Sequence, residues 1–292
     1  MKTEALHLKL QGLWVGAALG ELYAKGYFRK SPSVGESPIT VKEALPQTYR
    51  LCLLTARWLK APADINADLW HCKQWQDSLL NALPLAFIDS ALLESTPPSE
   101  SQPSESQLET TSGIIAIIKT LDWLQRAEPP EYLLSYLLQS PGLQETSLAG
   151  TLGEMYEQLR DRRGLPPQTV INDVPAPWTS DRAIAQLLYL LLSTPEDFGL
   201  TVRRSSLVFA HQPALQILLA ALSGFHNGFT RLPMAWRWQL NTIQWSVAMP
   251  LEEGLRTLGN LCAAQWAGCH SPRPDQDWSA VAISTPGQLR PR

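Results

Sequence analysis

The stretch that decides the fold is FAHQPALQILLAALSGFHNGFTRLPMAWRWQL, residues 209–240. From Pro213 to Gly228 it is almost wholly apolar, with Ala220, Gly224 and Gly228 four residues apart. Residues at that spacing share one face of a helix. Pro213 suits the first helical position, where a missing N–H costs nothing. A buried helix over 213–228 is the reading. Its entrance, Ala-His-Gln-Pro, carries no carboxylate, and residues 199–231 contain neither Asp nor Glu.

A second stripe stands near the amino terminus, in GLWVGAALGELYA from Gly12 to Ala24, with Gly12, Gly16 and Gly20 in register. Glycine inside a helix costs about 1 kcal/mol relative to alanine. Three in register need a compensating reason, and close backbone approach supplies one. The two striped helices are therefore expected to touch at the centre of the fold.

Helical periodicity recurs outward from this pair, over 6–25, 46–60, 65–81, 84–93, 113–127, 131–139, 148–163, 181–192 and 251–267. Strand-like alternation is confined to TVINDV at 169–174 and LTVRRSSLVFA at 200–210. The pattern reads as an all-α, compact single domain over 1–292, with the 23 prolines concentrated in loops. STPPSESQPSESQLETT, residues 95–111, has Leu108 as its one large apolar residue and reads as a flexible insertion. Residues 271–292 read as a loose tail.

Composition excludes several classes. Apolar residues make up 45% and charged residues 17% of 292, enough for a core. A net charge of −3 argues against nucleic acid as the main partner. The opening MKTEALHLKLQG lacks the pattern of a signal peptide. The apolar runs at 13–19 and 217–222 fall short of the roughly 20 residues of a membrane span. A cytoplasmic protein with no membrane span is the expectation. Cysteines 52, 72, 262 and 269, with His71 and His270, fit no common zinc spacing. Glycine-rich phosphate loops are absent from the sequence.

Three islands together resemble the ADP-ribosylglycohydrolase (DraG-like) family. GLWVGAALGELYA is similar to its opening helix, which usually ends Gly-Asp-Ala. NALPLAFI at 81–88 is similar to its central Pro-Leu helix. ALSGFHNGFTRLPMAW resembles its late helix and Ile-Pro-x-x-Trp exit. The resemblance implies an all-helical domain. In active members two magnesium ions lie between helix-leading loops and hydrolysis occurs at an N- or O-glycosidic bond to ADP-ribose. The ligands there come from a Thr-Asp-Asp-Thr-like motif after the first helix and an Asp-x-Asp-Thr motif before the late one.

This chain departs from the pattern at those positions. His211 and Pro213 stand where the late aspartates would be, Pro46 and Gln47 at the early ones, and Thr48 keeps the threonine. Glu21 replaces the opening helix's aspartate. Hard divalent cations need charged oxygen ligands, so no metal is expected and the magnesium site reads as lost. The resemblance then implies a catalytically degenerate member acting as a binding, regulatory or scaffold protein. Its cleft candidates are Glu21, Gln47, Thr48, His211 and Gln212, for an ADP-ribose-like ligand. The alternative is an active hydrolase with a rebuilt site around Glu21, Asp64, Asp68 or His211, with Glu21 and His211 as acid and base. In a pure scaffold, Tyr49 or Phe209 would fill the cleft. Among other groups, His226 reads as a core residue, and RDRRG at 160–164 and Arg203-Arg204 as solvated basic segments. Exposed tryptophans are favoured anchors at interfaces, so Trp236, Trp238 and Trp245 are the candidate contacts for a protein partner.

Overall fold

The computed structural model describes residues 6–29, 39–60, 75–88, 105–126, 128–161, 179–246 and 249–267. Its first helix, α1 (Leu6–Ala24), is buried at every position from Lys9 to Leu22. A helix apolar on all sides belongs inside a fold, and α1 is the axis around which the others pack. The main partner is α10 (Pro213–Asn227), which runs antiparallel to it. Gly12 lies against the backbones of Gly224 and Gly228, Gly16 against Ala220, and Gly20 against Gln216 and Ile217. A Cβ on Gly16 would come within 2.6 Å of the Ala220 carbonyl oxygen, and one on Gly20 within 3.2 Å of that of Gln216. The two stripes meet as the spacing predicts. Gly228 ends α10 at φ 70°, and its N–H donates to the Gly224 carbonyl at 2.8 Å. That left-handed position favours glycine.

The remaining helices are α2 (Val41–Ala44), α3 (Pro46–Lys60), α4 (Trp75–Ile88), α5 (Glu105–Gln125), α6 (Leu133–Leu138), α7 (Ser147–Asp161), α8 (Ser180–Ser193), α9 (Phe198–Val208), α11 (Met234–Leu240) and α12 (Leu251–Trp266). The all-α single domain stands. On a second side of α1, Gly259 of α12 sits so close that a Cβ there would be 2.8 Å from the Gln11 amide nitrogen. Gly113 of α5 lies between Leu79 of α4 and Ile184 of α8. Asp181 is buried at the start of α8 and accepts hydrogen bonds from Ser112 of α5 and Ser147 of α7, tying three helices. Lys9 is buried too, and its ammonium donates to the Leu124 carbonyl near the end of α5 at 2.7 Å. A small sheet closes one edge, with β1 (Ile39–Thr40) parallel to β2 (Ile243–Ser246) and β2 antiparallel to β3 (Met249–Pro250).

Several expectations need correction. The strand-like 200–210 segment lies mostly in α9. Asp197 caps that helix by accepting from the Leu200 N–H at 2.8 Å. Phe198, Thr201, Val202 and Ser205 are its buried residues, at helical spacing. Pro84 does not begin a helix but lies inside α4. A proline there costs about 3 kcal/mol. Burial of Leu79, Leu80, Leu83 and Phe87, about 1.5–3 kcal/mol each, outweighs it. Helix α5 starts at Glu105, so residues 105–111 of the 95–111 segment are helical. Helix α11 and the sheet had no sequence signal. The segments 61–74, 89–104, 162–178 and 268–292 lie outside the described residues, with TVINDV, the first half of the 95–111 segment and the 271–292 tail among them. Among the described residues no helix is long and apolar enough to cross a membrane.

At the other end of α10, His226 is mostly buried, with 11% of its side chain exposed, and its Nε2 lies 3.7 Å from Glu196. Glu196 also pairs with Arg231 at 2.8 Å. Burial holds the imidazole below the usual histidine range. Lys9 and Arg231 push the same way, and Glu196 opposes them.

Three outcomes follow. Gly224→Val sets a branched side chain against the α1 backbone and is expected to cost about 3 kcal/mol or more in urea denaturation. Gly153→Ala, where a Cβ meets nothing within 4 Å, should instead gain about 0.5–1 kcal/mol. His226 is the neutral form in the fold, whereas the unfolded chain takes up a proton near pH 6.5. Stability should therefore fall as pH drops through about 6.5 towards the lower folded value, and His226→Gln should flatten that slope.

Candidate functional site

Where α1 ends, two other helices begin. Gly20 meets α10 at Gln216, and the next residue, Glu21, meets the first turn of α3. Successive helical side chains point about 100° apart, so one turn of α1 addresses both helix starts. This is the end where the cleft residues were expected.

Helix α3 begins with Pro46 and follows Leu45, which has no side-chain oxygen to cap it. Its free first-turn N–H groups are satisfied from a distance instead. The Glu21 carboxylate is 1% exposed. It accepts from the Thr48 N–H at 2.7 Å and the Gln47 N–H at 3.2 Å, one through each oxygen. Lys25, one turn on, lies 3.3 Å from Glu21 Oε1 and donates to the Ala44 carbonyl at 2.7 Å. A carboxylate at a helix N-terminus also gains from the helix dipole. Glu21 is therefore a buried cap with both oxygens committed.

The start of α10 is built differently. Phe209 ends α9 with its side chain 1% exposed. The chain then turns through Ala210 and His211 to Gln212, whose N–H returns to the Phe209 carbonyl at 2.9 Å. The Gln216 Nε2 donates to that same carbonyl at 2.6 Å and locks the turn. Gln212 is the residue before the helix, and its side chain caps nothing. His211 is exposed on the turn. The structure does not join Glu21 and His211 as an acid–base pair, because one is buried and bonded and the other faces solvent. Tyr49 is half-buried, and Asp64 and Asp68 lie outside the described residues.

Four oxygens on these two helix starts are buried and accept no hydrogen bond from the described residues: Gln47 Oε1, Thr48 Oγ1, Gln212 Oε1 and Gln216 Oε1. Gln47, Thr48 and Gln212 were candidates from the sequence. Gln216 was missed, because a glutamine within an apolar helix gives no signal of what its second atom meets.

A pair of magnesium ions does not fit this donor set. The oxygens without a partner are neutral amides and a hydroxyl, and the one carboxylate is spent on the α3 backbone. Among the described residues no cluster of three or more His, Cys, Asp or Glu is placed to hold a metal ion. Cys52 and Cys262 are buried thiols, and burial pushes Cys262 up to about 12, which leaves it unreactive. Cys72, Cys269, His71 and His270 lie outside the described residues.

Beside this end, Trp236 packs with Phe28, Tyr23 and Phe198 at ring distances of 4.7, 5.5 and 6.0 Å. Trp245 covers Gly254 of α12. The expected patch of three exposed tryptophans reduces to Trp238, 70% exposed, with Met234 at 75% one turn away on α11. Arg203 is exposed, whereas Arg204 donates to Ser193 at 3.1 Å.

No protein-family model matches the chain, and no curated protein matches it significantly.

Glu21→Ala leaves two N–H groups of α3 without their acceptor and Lys25 without its counter-charge. It is expected to lower stability by about 3 kcal/mol in denaturant titration. A carboxylate held in reserve for catalysis would show little stability loss on removal.

Proposed function

We propose that the chain is a catalytically degenerate ADP-ribosylglycohydrolase-like protein that binds rather than cleaves. The observation that carries this reading is the state of Glu21. Where the family resemblance places the aspartate of the opening helix, this chain has Glu21, whose two oxygens cap α3. The opposite wall, at the start of α10, offers His211, Gln212 and Pro213 in place of aspartates. The scaffold has the close helix pair, while among the described residues neither helix start offers a carboxylate free to hold a metal ion.

The ligand favoured by the resemblance is ADP-ribose or an ADP-ribosyl group, recognised without a divalent cation. Phe209 supports a second reading. Its ring is fully buried next to the α10 entrance, as in a scaffold whose cleft is closed by its own side chains. In that case Trp238 and Met234 are the groups left to meet a protein partner.

Isothermal calorimetry with ADP-ribose, with and without magnesium, separates these readings. Binding of equal strength in both conditions, with no release of free ADP-ribose from an ADP-ribosylated peptide, is the expected result. Binding that appears only with magnesium would restore the hydrolase alternative. Failure to bind in either condition would leave the scaffold.

A further inference from the structure

At the end of α10 one acid stands between two bases. Glu196 lies on the turn between α8 and α9, and its two oxygens face different partners. Oε2 holds Arg231, on the turn after α10, at 2.8 Å. Oε1 stands 3.7 Å from His226 Nε2, too far for a hydrogen bond. Charge-assisted N–H···O bonds close at roughly 2.7–2.9 Å, so one bond is made and the other is open by about 1 Å.

The surroundings of this gap decide what a proton on His226 does. The charged groups that bear on the ring are Lys9 from α1, Glu196 from the turn before α9 and Arg231 from the turn after α10. Lys9 is fixed to the Leu124 carbonyl at 2.7 Å and does not retreat. An imidazolium there meets two cations and one carboxylate, and the carbonyls at the end of its own helix favour it. Two residues before the ring and two after it, Gly224 and Gly228 are pinned to α1, so the backbone does not carry it outward. The turn bearing Glu196 is pinned as well. Asn227 Nδ2 donates to the Pro195 carbonyl at 2.9 Å, and Thr201 Oγ1 to the Thr194 carbonyl at 2.9 Å. The movable part is the Glu196 side chain, 57% of which is exposed. Because each oxygen serves its own partner, it can close on His226 without releasing Arg231.

We propose that His226, Glu196 and Arg231 form a latch that acid closes: when His226 takes up a proton from solvent, its Nε2–H closes on Glu196 Oε1 while Arg231 keeps Oε2. The turn before α9, the end of α10 and the turn leading to α11 are then joined through one carboxylate. Burial first, then Lys9 and Arg231, hold the imidazole below the usual histidine range against the pull of Glu196. The latch is therefore open near neutral pH and closes as pH falls below about 6.5. Its effect is local and opposite in sign to the global one. Charging His226 costs the folded chain stability against the unfolded one, yet folded molecules that carry the charge hold these turns more firmly. The latch is independent of what the cleft binds.

The test is NMR on the full chain, over the pH range in which it stays folded. The His226 ring nitrogens are titrated, and amide hydrogen exchange at residues 196–197 and 229–231 is measured above and below the His226 midpoint, corrected for the intrinsic pH dependence of exchange. Protection of these amides is expected to rise roughly tenfold on protonation, as a hydrogen bond between charged groups implies. Glu196→Gln should lower the midpoint and remove the rise. Arg231→Gln should raise the midpoint and keep the rise. His226→Gln should show no rise. Glu196 and Arg231 are both more than half exposed, so their variants should fold. Protection that falls on protonation means the ring is expelled, and it overturns the latch. Unchanged protection in the parent chain, a rise that survives Glu196→Gln, or a midpoint that Glu196→Gln leaves in place overturns it too.

Discussion

The structure depends on two backbones touching. Gly12, Gly16 and Gly20 of α1 press on Ala220, Gly224 and Gly228 with almost no side-chain matter between them. Ordinary helix pairs keep 8–10 Å between axes because side chains hold them apart. Here the spacers are deleted on both sides, so neither rotation nor a shift along the axis is tolerated without a clash. Once α1 and α10 are locked, α12 completes the inner layer through Gly259, and the outer helices cover what is left. Three glycines weaken an isolated helix by about 3 kcal/mol in propensity. The burial of Leu10, Leu13, Trp14, Leu19 and Leu22, each worth about 1.5–3 kcal/mol, more than offsets that.

The same lock fixes where the candidate site stands. Because α1 cannot slide, Glu21 is held beside the first turn of α3, and Gln216 is held beside Gly20. What differs between the two helix starts is the use made of their polar groups. At α3 every one of the named backbone donors near Glu21 has its acceptor. At α10 the turn is locked by Gln216, and at both starts side-chain oxygens stay without partners, Gln47 Oε1 and Thr48 Oγ1 at α3 and Gln212 Oε1 and Gln216 Oε1 at α10.

Legibility in the sequence followed the range of each interaction. The α1–α10 contact could be read because close approach restricts residue type at a fixed spacing, and both stripes show it. Helix α9 could not, because Thr201 and Val202 favour strands in isolation and the cap that starts the helix, Asp197, sits before an unremarkable Phe-Gly. The absence of carboxylates from the α10 entrance was visible directly as residue identity. The role of Glu21 was not, since it caps a helix that begins 25 positions away through a contact no local pattern encodes. The tryptophans failed for a related reason. An aromatic residue reads alike whether it stacks on Phe28, lies over Gly254 or faces water, and only packing separates Trp236 and Trp245 from Trp238.

The burial of α1 on every side has a consequence for the newly made chain. The helix leaves the ribosome well ahead of its main partner, carrying an apolar surface with no solvent-facing stripe. At about 5–20 residues per second, the wait for α10 is on the order of 10–40 s. During that interval the glycine-weakened helix has neither its partner nor a polar face to keep it apart from other chains. Until residue 228 is free, α1 is the segment a chaperone would have to shield.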